Sequence, residues 1–403
     1  MPAAMGLPHL GIAAPVGIGK AAVASAVFAG SRHGIVPRDD LLPNRRLHVG
    51  AVTAELPTVA PHLARFDSRN NRLMLAALAE IAEPIQAMIR RQGRDRIAVV
   101  LGTSTSGLAE SEAAYAARRD QGAWPAQFHY RQMEAGSLAK FVAHTLQLTG
   151  PAYTIAAACA ASAKALASGR RLIRAGLADA AIVGGCDTLC RTTVGGFSVL
   201  EAMAQGFCNP FSANRDGINI GEAAAVFLMT REPAEVELLG VGESSDAYHV
   251  SAPDPEGRGA ASAMRMALDE AELRADRIVY INLHGTGTPH NDLMEGRAVH
   301  ALFGRTTACS STKALTGHTL GAAGACEAAF LWLALSRTWN SDRRLPPHVW
   351  DGVADPAIPP LALVAPGASF ATMVGGEAML SNSFAFGGSN VALVLARREV
   401  THT

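Results

Sequence analysis

The chain has 403 residues, enough for a large buried core and two domains or one duplicated architecture. Its formal net charge is zero at pH 7, which excludes a global electrostatic pull toward nucleic acid or an anionic membrane, so an acidic partner must be read by a local patch. Hydrophobic residues make up 49% of the chain but aromatics only 5%, because alanine dominates, and this excludes disorder and points to close packing of small side chains.

The N-terminal "MPAAMGLPHLGIAAP" has neither a basic n-region nor a long apolar h-region, so no secretory signal is expected. "RIAVVLGTSTSG" (96–107) predicts a buried strand ending in a Gly/Ser/Thr loop. "SLAKFVAHTLQL" (137–148) has helical apolar spacing, and "AYTI" (152–155) predicts a strand running into "TIAAACAASAKAL" (154–166). "SAKALASGRRLIRAG" (162–176) predicts a helix that stops at a Gly, with too many Arg for a membrane span. "DAAIVGGCDT" (179–188) is a strand and turn, and 215–231 and 236–247 read as strands around a Gly turn. The second half repeats the theme. A helix over 261–273 is followed by "RIVYINLHGTGTP" (277–289), a strand ending in a Gly/Thr loop much like 96–107. "GACEAAFLWLALS" (324–336) is an apolar helix, and "AMLSNSFAFGGSNVALVLARR" (378–398) is a strand, a Gly loop and a strand. The Pro-rich 345–367 predicts a surface excursion. Apolar strands alternating with helices argue for an α/β fold whose sheet is covered on both faces.

Neither Gly-rich loop makes a nucleotide site. "APVGIGKA" lacks the first Gly and the Ser/Thr of a phosphate loop, and "GTGTP" lacks the third Gly of a dinucleotide fingerprint. The six cysteines (159, 186, 190, 208, 309 and 326) form no CxxC pair and no zinc-like spacing, so reduced, mostly buried thiols and no metal are expected. Taken alone, Cys159 reads first as a packing residue. At a strand-to-helix junction, however, free N–H groups and the helix dipole favour a thiolate, and its own N–H can face an oxyanion. His284 follows a strand in "NLHGTGTPHND", and His318 sits in "STKALTGHTLGAAGACEA". Either one alone reads as structural; with Cys159 at a third such junction they make a Cys/His/His constellation. Lys313 and Glu327 flank His318 in sequence and are expected to support it. Phe384 and Phe386 precede Gly387–Gly388 and read as core or as a gate.

In order, "AACAASA", "RDGINIGEAAA", "HGTGTPHND", "STKALTGHTLGAAGACEA" and "NSFAFGGSN" resemble the motifs of the β-ketoacyl-acyl carrier protein synthases, the decarboxylating condensing enzymes of fatty acid and polyketide assembly. The resemblance is strongest from about 150 to 395. It implies a thiolase-like fold: two pseudo-twofold-related βα halves, 1–235 and 236–403, in five α-β-α-β-α layers. It implies Cys159 as nucleophile, with His284, His318 and Lys313 catalytic and Glu327 and Asp292 in support. The Cys159 and Phe386 N–H groups would form an oxyanion hole gated with Phe384, and Thr286 and Thr288 would bind pantetheine. No cofactor is implied, since substrates ride on the phosphopantetheine arm of acyl carrier protein. The implied setting is cytoplasmic. The implied assembly is a dimer, with a second copy or with a chain-length-factor-like subunit, and neither nucleic acid nor membrane is a partner. Arg65, Arg69 and Arg72 are candidate docking cations for the acidic carrier; a solvated helix face is the other reading of the same three.

His318 stands where initiating and chalcone-type enzymes have Asn, and the C-terminal Gly loop lacks the second Cys of thiolases. A thiolase-type acyltransferase acting on coenzyme A esters and a non-catalytic partner subunit remain the alternatives. The chain departs from the pattern in having Ala385 for the usual Gly, Ala156–Ala158 for hydroxyl residues, and Asn209 for a docking Arg before Pro210. With the segment "TVGGFSVLEAMAQGFCNPF" (193–211), these departures imply a specialised synthase, an aryl-polyene or pigment pathway being one such setting.

Overall fold

The computed structural model describes residues 4–372 and 376–398, so the outermost ends of both expected halves lie outside the described residues. The strands in chain order are β1 (Met5–Ala14), β2 (Gly17–Ile18), β3 (Ile35–Leu42), β4 (Arg45–Gly50), β5 (Ile97–Gly102), β6 (Ala152–Ile155) and β7 (Ala180–Asp187). There follow β8 (Ala223–Thr230), β9 (Val236–Ser245), β10 (Ile278–Asn282), β11 (Ala308–Ser310), β12 (Ala362–Leu363), β13 (Ala378–Phe384) and β14 (Ser389–Arg397). The α-helices are α1 (Lys20–Phe28), α2 (Arg69–Ala79), α3 (Ala82–Gln92), α4 (Leu108–Gln121), α5 (Ser137–Leu146) and α6 (Ala161–Arg174). The remainder are α7 (Arg191–Val199), α8 (Arg258–Glu270), α9 (Pro289–Phe303), α10 (Lys313–Thr316) and α11 (Ala323–Leu335).

The sheet order is β12-β11-β10-β13-β14-β9-β1-β8-β7-β5-β6, with β2 paired to β1. The two sides of the β1–β9 junction carry the same pairing pattern. In the first, β6 is parallel to β5, β5 parallel to β7, β7 antiparallel to β8, and β8 antiparallel to β1. In the second, β11, β10, β13, β14 and β9 repeat those relations in the same order. Strands such as β5, β7 and β8 are buried along their whole length, as a sheet covered on both faces requires.

α2, α3 and α5 pack one outer face of the first half, and α8 and α9 pack the second. Between them lie α6 and α11, which touch each other and strands of both halves. The expected five-layer, thiolase-like arrangement is present. The small residues of 154–166 serve this central layer. A Cβ on Gly324 of α11 would lie 2.7 Å from Ala163 Cβ and 2.8 Å from Ala163 N, so only glycine lets the helices meet there. Ser162 Oγ accepts a hydrogen bond from Ala325 N at 2.9 Å across the same contact. Since Cys159 precedes α6 and His318 precedes α11, this close approach is what brings the two together.

The predicted surface excursion is only partly one. Residues 345–348 are buried, and His348 spans Ser311 N (3.1 Å) and the Pro210 carbonyl (3.0 Å). Residues 351–354 are exposed. The predicted strand over 215–231 is confined to β8, and the preceding 215–222 forms irregular structure under the site.

Candidate active site

β6 ends at Ile155, and the chain reaches α6 through a tight turn. Ala158 takes a left-handed φ of 44°, a conformation that costs a residue with a Cβ on the order of 1–2 kcal/mol. That turn holds the Cys159 thiol, 6% exposed, in a cavity of about 420 Å³. His284, His318, Thr286, Phe384 and Phe386 line the same cavity.

His318 follows α10, and its backbone N–H donates to the Asn219 carbonyl at 2.6 Å. The "RDGINIGEAAA" block is thus the seat of the His318 loop. His318 Nε2 stands 2.9 Å from Cys159 Sγ. The His284 ring is 5.3 Å from that of His318 at an interplanar angle of 86°. Lys313 was expected to support His318, but the structure places its Nζ on His284. Nζ contacts the His284 carbonyl, His284 Nδ1 at 3.3 Å and Glu327 Oε1 at 2.5 Å. Five residues of sequence cannot tell which imidazole an ammonium will reach; the parallel pairing of β10 with β11, and the Ser311 Oγ hydrogen bond to the Gly285 carbonyl beyond it, decide it. An ammonium only donates, so His284 Nδ1 accepts and the ring proton sits on Nε2.

Several acidic residues brace these loops. Glu295 accepts from His284 N and Gly285 N at 2.7 Å each, and from Asn382 Nδ2 at 3.0 Å. Asp292 accepts from Phe211 N at 2.8 Å and Gly287 N at 3.2 Å, holding the loop that carries Thr286 and Thr288, whose hydroxyls are 2.9 Å apart. Asp187, at the end of β7, accepts from Thr103 Oγ1 and Gly321 N at 2.6 Å each, and from Ser104 N and Thr105 N at 2.8 Å each. Sequence reasoning missed Asp187 and Glu295. Glu295 had a legible signal, being three residues after Asp292 on the inner face of α9; Asp187 had only its place after a fully apolar strand.

In the loop after Phe384, Gly387 and Gly388 take φ of 85° and 77°, and Gly387 N donates to the Val250 carbonyl at 2.9 Å. Ala385 is buried, and its N–H donates to the Ser389 carbonyl at 2.8 Å. Phe384 is buried against His284, with ring centroids 6.0 Å apart, and Phe386 is 39% exposed.

The electrostatics correct one expectation. A strand-to-helix junction was expected to favour a thiolate, yet burial pushes the Cys159 thiol up to about 11. The Lys313 charge and the N–H groups of Phe386 and of Cys159 itself pull the other way and are outweighed. The resting thiol is therefore protonated and donates to His318 Nε2. Burial, with the Lys313 charge, holds both His284 and His318 well below the usual histidine range, so both are neutral. Burial raises Glu295 and Glu327 to about 7 each.

The candidate docking cations lie apart from this cavity. Arg69 pairs with buried Glu222 at 2.6 Å, Arg72 pairs with Asp67 at 2.6 Å, and Arg65 lies 5.1 Å from the Phe66 ring centroid. The charges of Arg69 and Arg72 are thus engaged within the fold. Asn209 Oδ1 accepts from Asp351 N at 3.1 Å. Among the described residues, Cys159, His284 and His318 bring three potential metal-ligand atoms within 4.8 Å of one another. No helix of the described residues is long and apolar enough to cross a membrane.

Residues 44–234 match the family described as beta-ketoacyl synthase, N-terminal domain, and residues 236–343 match its C-terminal domain. The 3-oxoacyl-[acyl-carrier-protein] synthase 2 of Staphylococcus aureus is 31% identical over 354 residues, 83% of each chain. The protein of that name from Synechocystis is 34% identical over 333 residues, 77% of each chain. Among solved structures, a chain of a ketosynthase in complex with its chain length factor from Xenorhabdus doucetiae is similar with a TM-score of 0.92 at 44% identity, covering 98% of both chains. A beta-ketoacyl synthase from Burkholderia phymatum has a TM-score of 0.85 at 26% identity, covering 98% of this chain and 100% of that one.

Proposed function

This chain belongs to the β-ketoacyl synthase family, and we propose that it condenses an acyl group held on Cys159 with malonyl-acyl carrier protein, releasing carbon dioxide. The observation that carries the residue assignment is the buried triangle of Cys159 Sγ, His318 Nε2 at 2.9 Å, and a His284 ring whose tautomer Lys313 sets. In the first half-reaction Sγ attacks the acyl thioester. Its proton passes to His318 Nε2 and on to the departing pantetheine thiol. The Cys159 and Phe386 N–H groups face the oxyanion. In the second, the malonyl arm lies along Thr286 and Thr288. Its carboxylate leaves as carbon dioxide, and His284 donates from Nε2 to the enolate oxygen; His318 joins it once its ring proton has moved from Nδ1 to Nε2, which no longer accepts from the acylated Sγ. The carbanion attacks the Cys159 acyl carbonyl, the product leaves as a β-ketoacyl thioester, and the freed thiolate takes a proton from solvent.

Carbon dioxide loss drives this sequence, so it uses no metal, nucleotide or redox cofactor. The proposed partners are an acyl carrier protein and, in a dimer, a second copy or a chain-length-factor-like subunit; the ketosynthase–chain length factor pairing of the Xenorhabdus doucetiae complex supports the latter. A cytoplasmic, specialised elongation pathway, such as one for aryl polyenes or pigments, belongs to the same proposal. Intact-mass spectrometry with a panel of acyl-carrier thioesters tests it. Cys159 should gain the acyl mass, and malonyl-carrier protein should then discharge it as a β-ketoacyl product. A Cys159 that never acylates would support the non-catalytic partner subunit, and extension by acetyl-coenzyme A instead would support the thiolase-type reaction. In His318→Asn, elongation should fail while Cys159 still reacts with an alkylating agent; ordinary elongation would refute the two-histidine arrangement.

A further inference from the structure

The segment 193–211 has no part in the chemistry above, yet its last turns run into the floor of the site. Its residues 202–204 pair with Ile218: Ile218 N donates to the Ala202 carbonyl at 2.8 Å, and Ala204 N donates to the Ile218 carbonyl at 2.9 Å. Beyond Ala204 the Asn219 side chain continues that pairing. Asn219 Oδ1 accepts from Cys208 N at 2.7 Å, and Nδ2 donates to the Gly206 carbonyl at 2.8 Å. Asn219 is 1% exposed and stands between Ile218 and Ile220, both core residues, so packing alone does not account for an amide there. Its two hydrogen bonds are made away from water, where leaving either unmade is costly.

Cys208 passes this hold onward. Its Sγ donates to the Thr286 carbonyl at 3.2 Å. Burial pushes the Cys208 thiol up to about 12, so it keeps the proton it donates. Gly287 takes a φ of 79°, and a Cβ there would lie 2.8 Å from Cys208 Sγ and 2.8 Å from the Gly217 carbonyl oxygen. Gly217 N in turn donates to the Gly287 carbonyl at 3.0 Å. A packing cysteine is the competing account of Cys208. Against it, the thiol is directed at the carbonyl of a residue that, with Thr288, lines the Cys159 cavity.

The backbone of Asn219 bears on His318. The Asn219 carbonyl accepts from His318 N at 2.6 Å, and Gly221 N donates to the His318 carbonyl at 2.9 Å. One residue thus holds His318 by its main chain and Thr286 by its side chain. The two holds are separable, since a substitution at Asn219 keeps the first and removes the second.

We infer that Asn219, acting through Cys208, is a positioning residue for the pantetheine arm: it fixes the Thr286–Thr288 pair on the same support as His318. The inference rests on the synthase reading and deepens it.

The test reads carbon dioxide release from malonyl-pantetheine and from malonyl ethyl thioester, which has the thioester but no arm. Asn219→Leu should lower kcat/KM for malonyl-pantetheine about tenfold, the worth of about one hydrogen bond, through KM and with kcat within about threefold. The ethyl thioester should change less than about twofold, because His284 and His318 stay in place. Cys208→Ala should show the same pattern at about fivefold, and Cys208→Ser, whose hydroxyl still donates to the Thr286 carbonyl, should stay within about twofold of wild type on both. The inference is overturned if the two thioesters lose equally, if Cys208→Ala leaves malonyl-pantetheine within twofold, or if Cys208→Ser falls as far as Cys208→Ala. Should Asn219→Leu fail to fold, the two cysteine variants decide by themselves. Absence of carbon dioxide release by the wild type from either thioester would refute the synthase reading and this inference with it.

Discussion

Replacing Lys313 with Met removes one ammonium and keeps most of the volume. Three contacts go with it: the buried pair with Glu327 at 2.5 Å, the His284 carbonyl, and His284 Nδ1 at 3.3 Å. Breaking a buried pair on one side costs about 3–5 kcal/mol when an anion is left behind. Here the anion need not remain. Burial already lifts Glu327 to about 7, and Lys313 is what opposes that rise, so without it the carboxyl takes a proton at neutral pH. The stability loss should therefore fall at or below the low end of that range. Catalysis suffers more. His284 loses the partner that keeps its proton on Nε2, and losing one donor to a developing oxyanion costs about 10²–10³-fold. Lys313 also lowers both histidines, so in the variant both rise. Each is needed neutral, so the loss of activity on acidification should begin at higher pH than in the wild type. The assay is carbon dioxide release from malonyl-carrier protein between pH 5 and pH 8, with urea unfolding alongside. A variant that decarboxylates within about threefold of wild type, with an unmoved acid limb, would refute the assignment of Lys313 to His284.

Cys159→Ala should abolish acyl transfer yet retain malonyl decarboxylation, since the enolate donors are untouched; unimpaired condensation, read by product mass, would sink the nucleophile assignment. With the thiol pushed up to about 11, iodoacetamide should alkylate Cys159 about tenfold faster per pH unit from pH 7 to pH 10, and a plateau below pH 9 would show that the resting thiol is ionised. Asp187→Ala strands the Thr103 hydroxyl and the N–H groups of Ser104, Thr105 and Gly321. At about 1–3 kcal/mol for each buried donor left unpaired, it should destabilise the fold by about 4 kcal/mol or more; a urea-unfolding difference under about 1 kcal/mol would show that this carboxylate is not the tie between the 103–105 and 318–321 loops.

What the sequence by itself determined was local. Apolar runs ending in Gly-rich stretches placed Cys159, His284 and His318 at element ends, and the strand over 152–155 was legible to the residue. The order of motifs sufficed for the fold and for the cysteine and two histidines, because each motif shapes its own backbone. Tertiary structure decided what depends on neighbours from elsewhere in the chain. It gave Lys313 to His284 and kept Arg69 and Arg72 within ion pairs. It revealed Asp187 and Glu295 as the acceptors that hold the loops. It turned the Cys159 thiol from the expected thiolate into a protonated group, since desolvation sums over every atom packed around Sγ while the helix start contributes only the few N–H groups beside it. The run of alanines shows the same division. Its composition is plain in the sequence, but that Ala163 and Ser162 exist to admit α11, and so bring His318 to Cys159, follows only from the approach of two helices whose touching residues Ser162 and Ala325 are 163 positions apart in the chain.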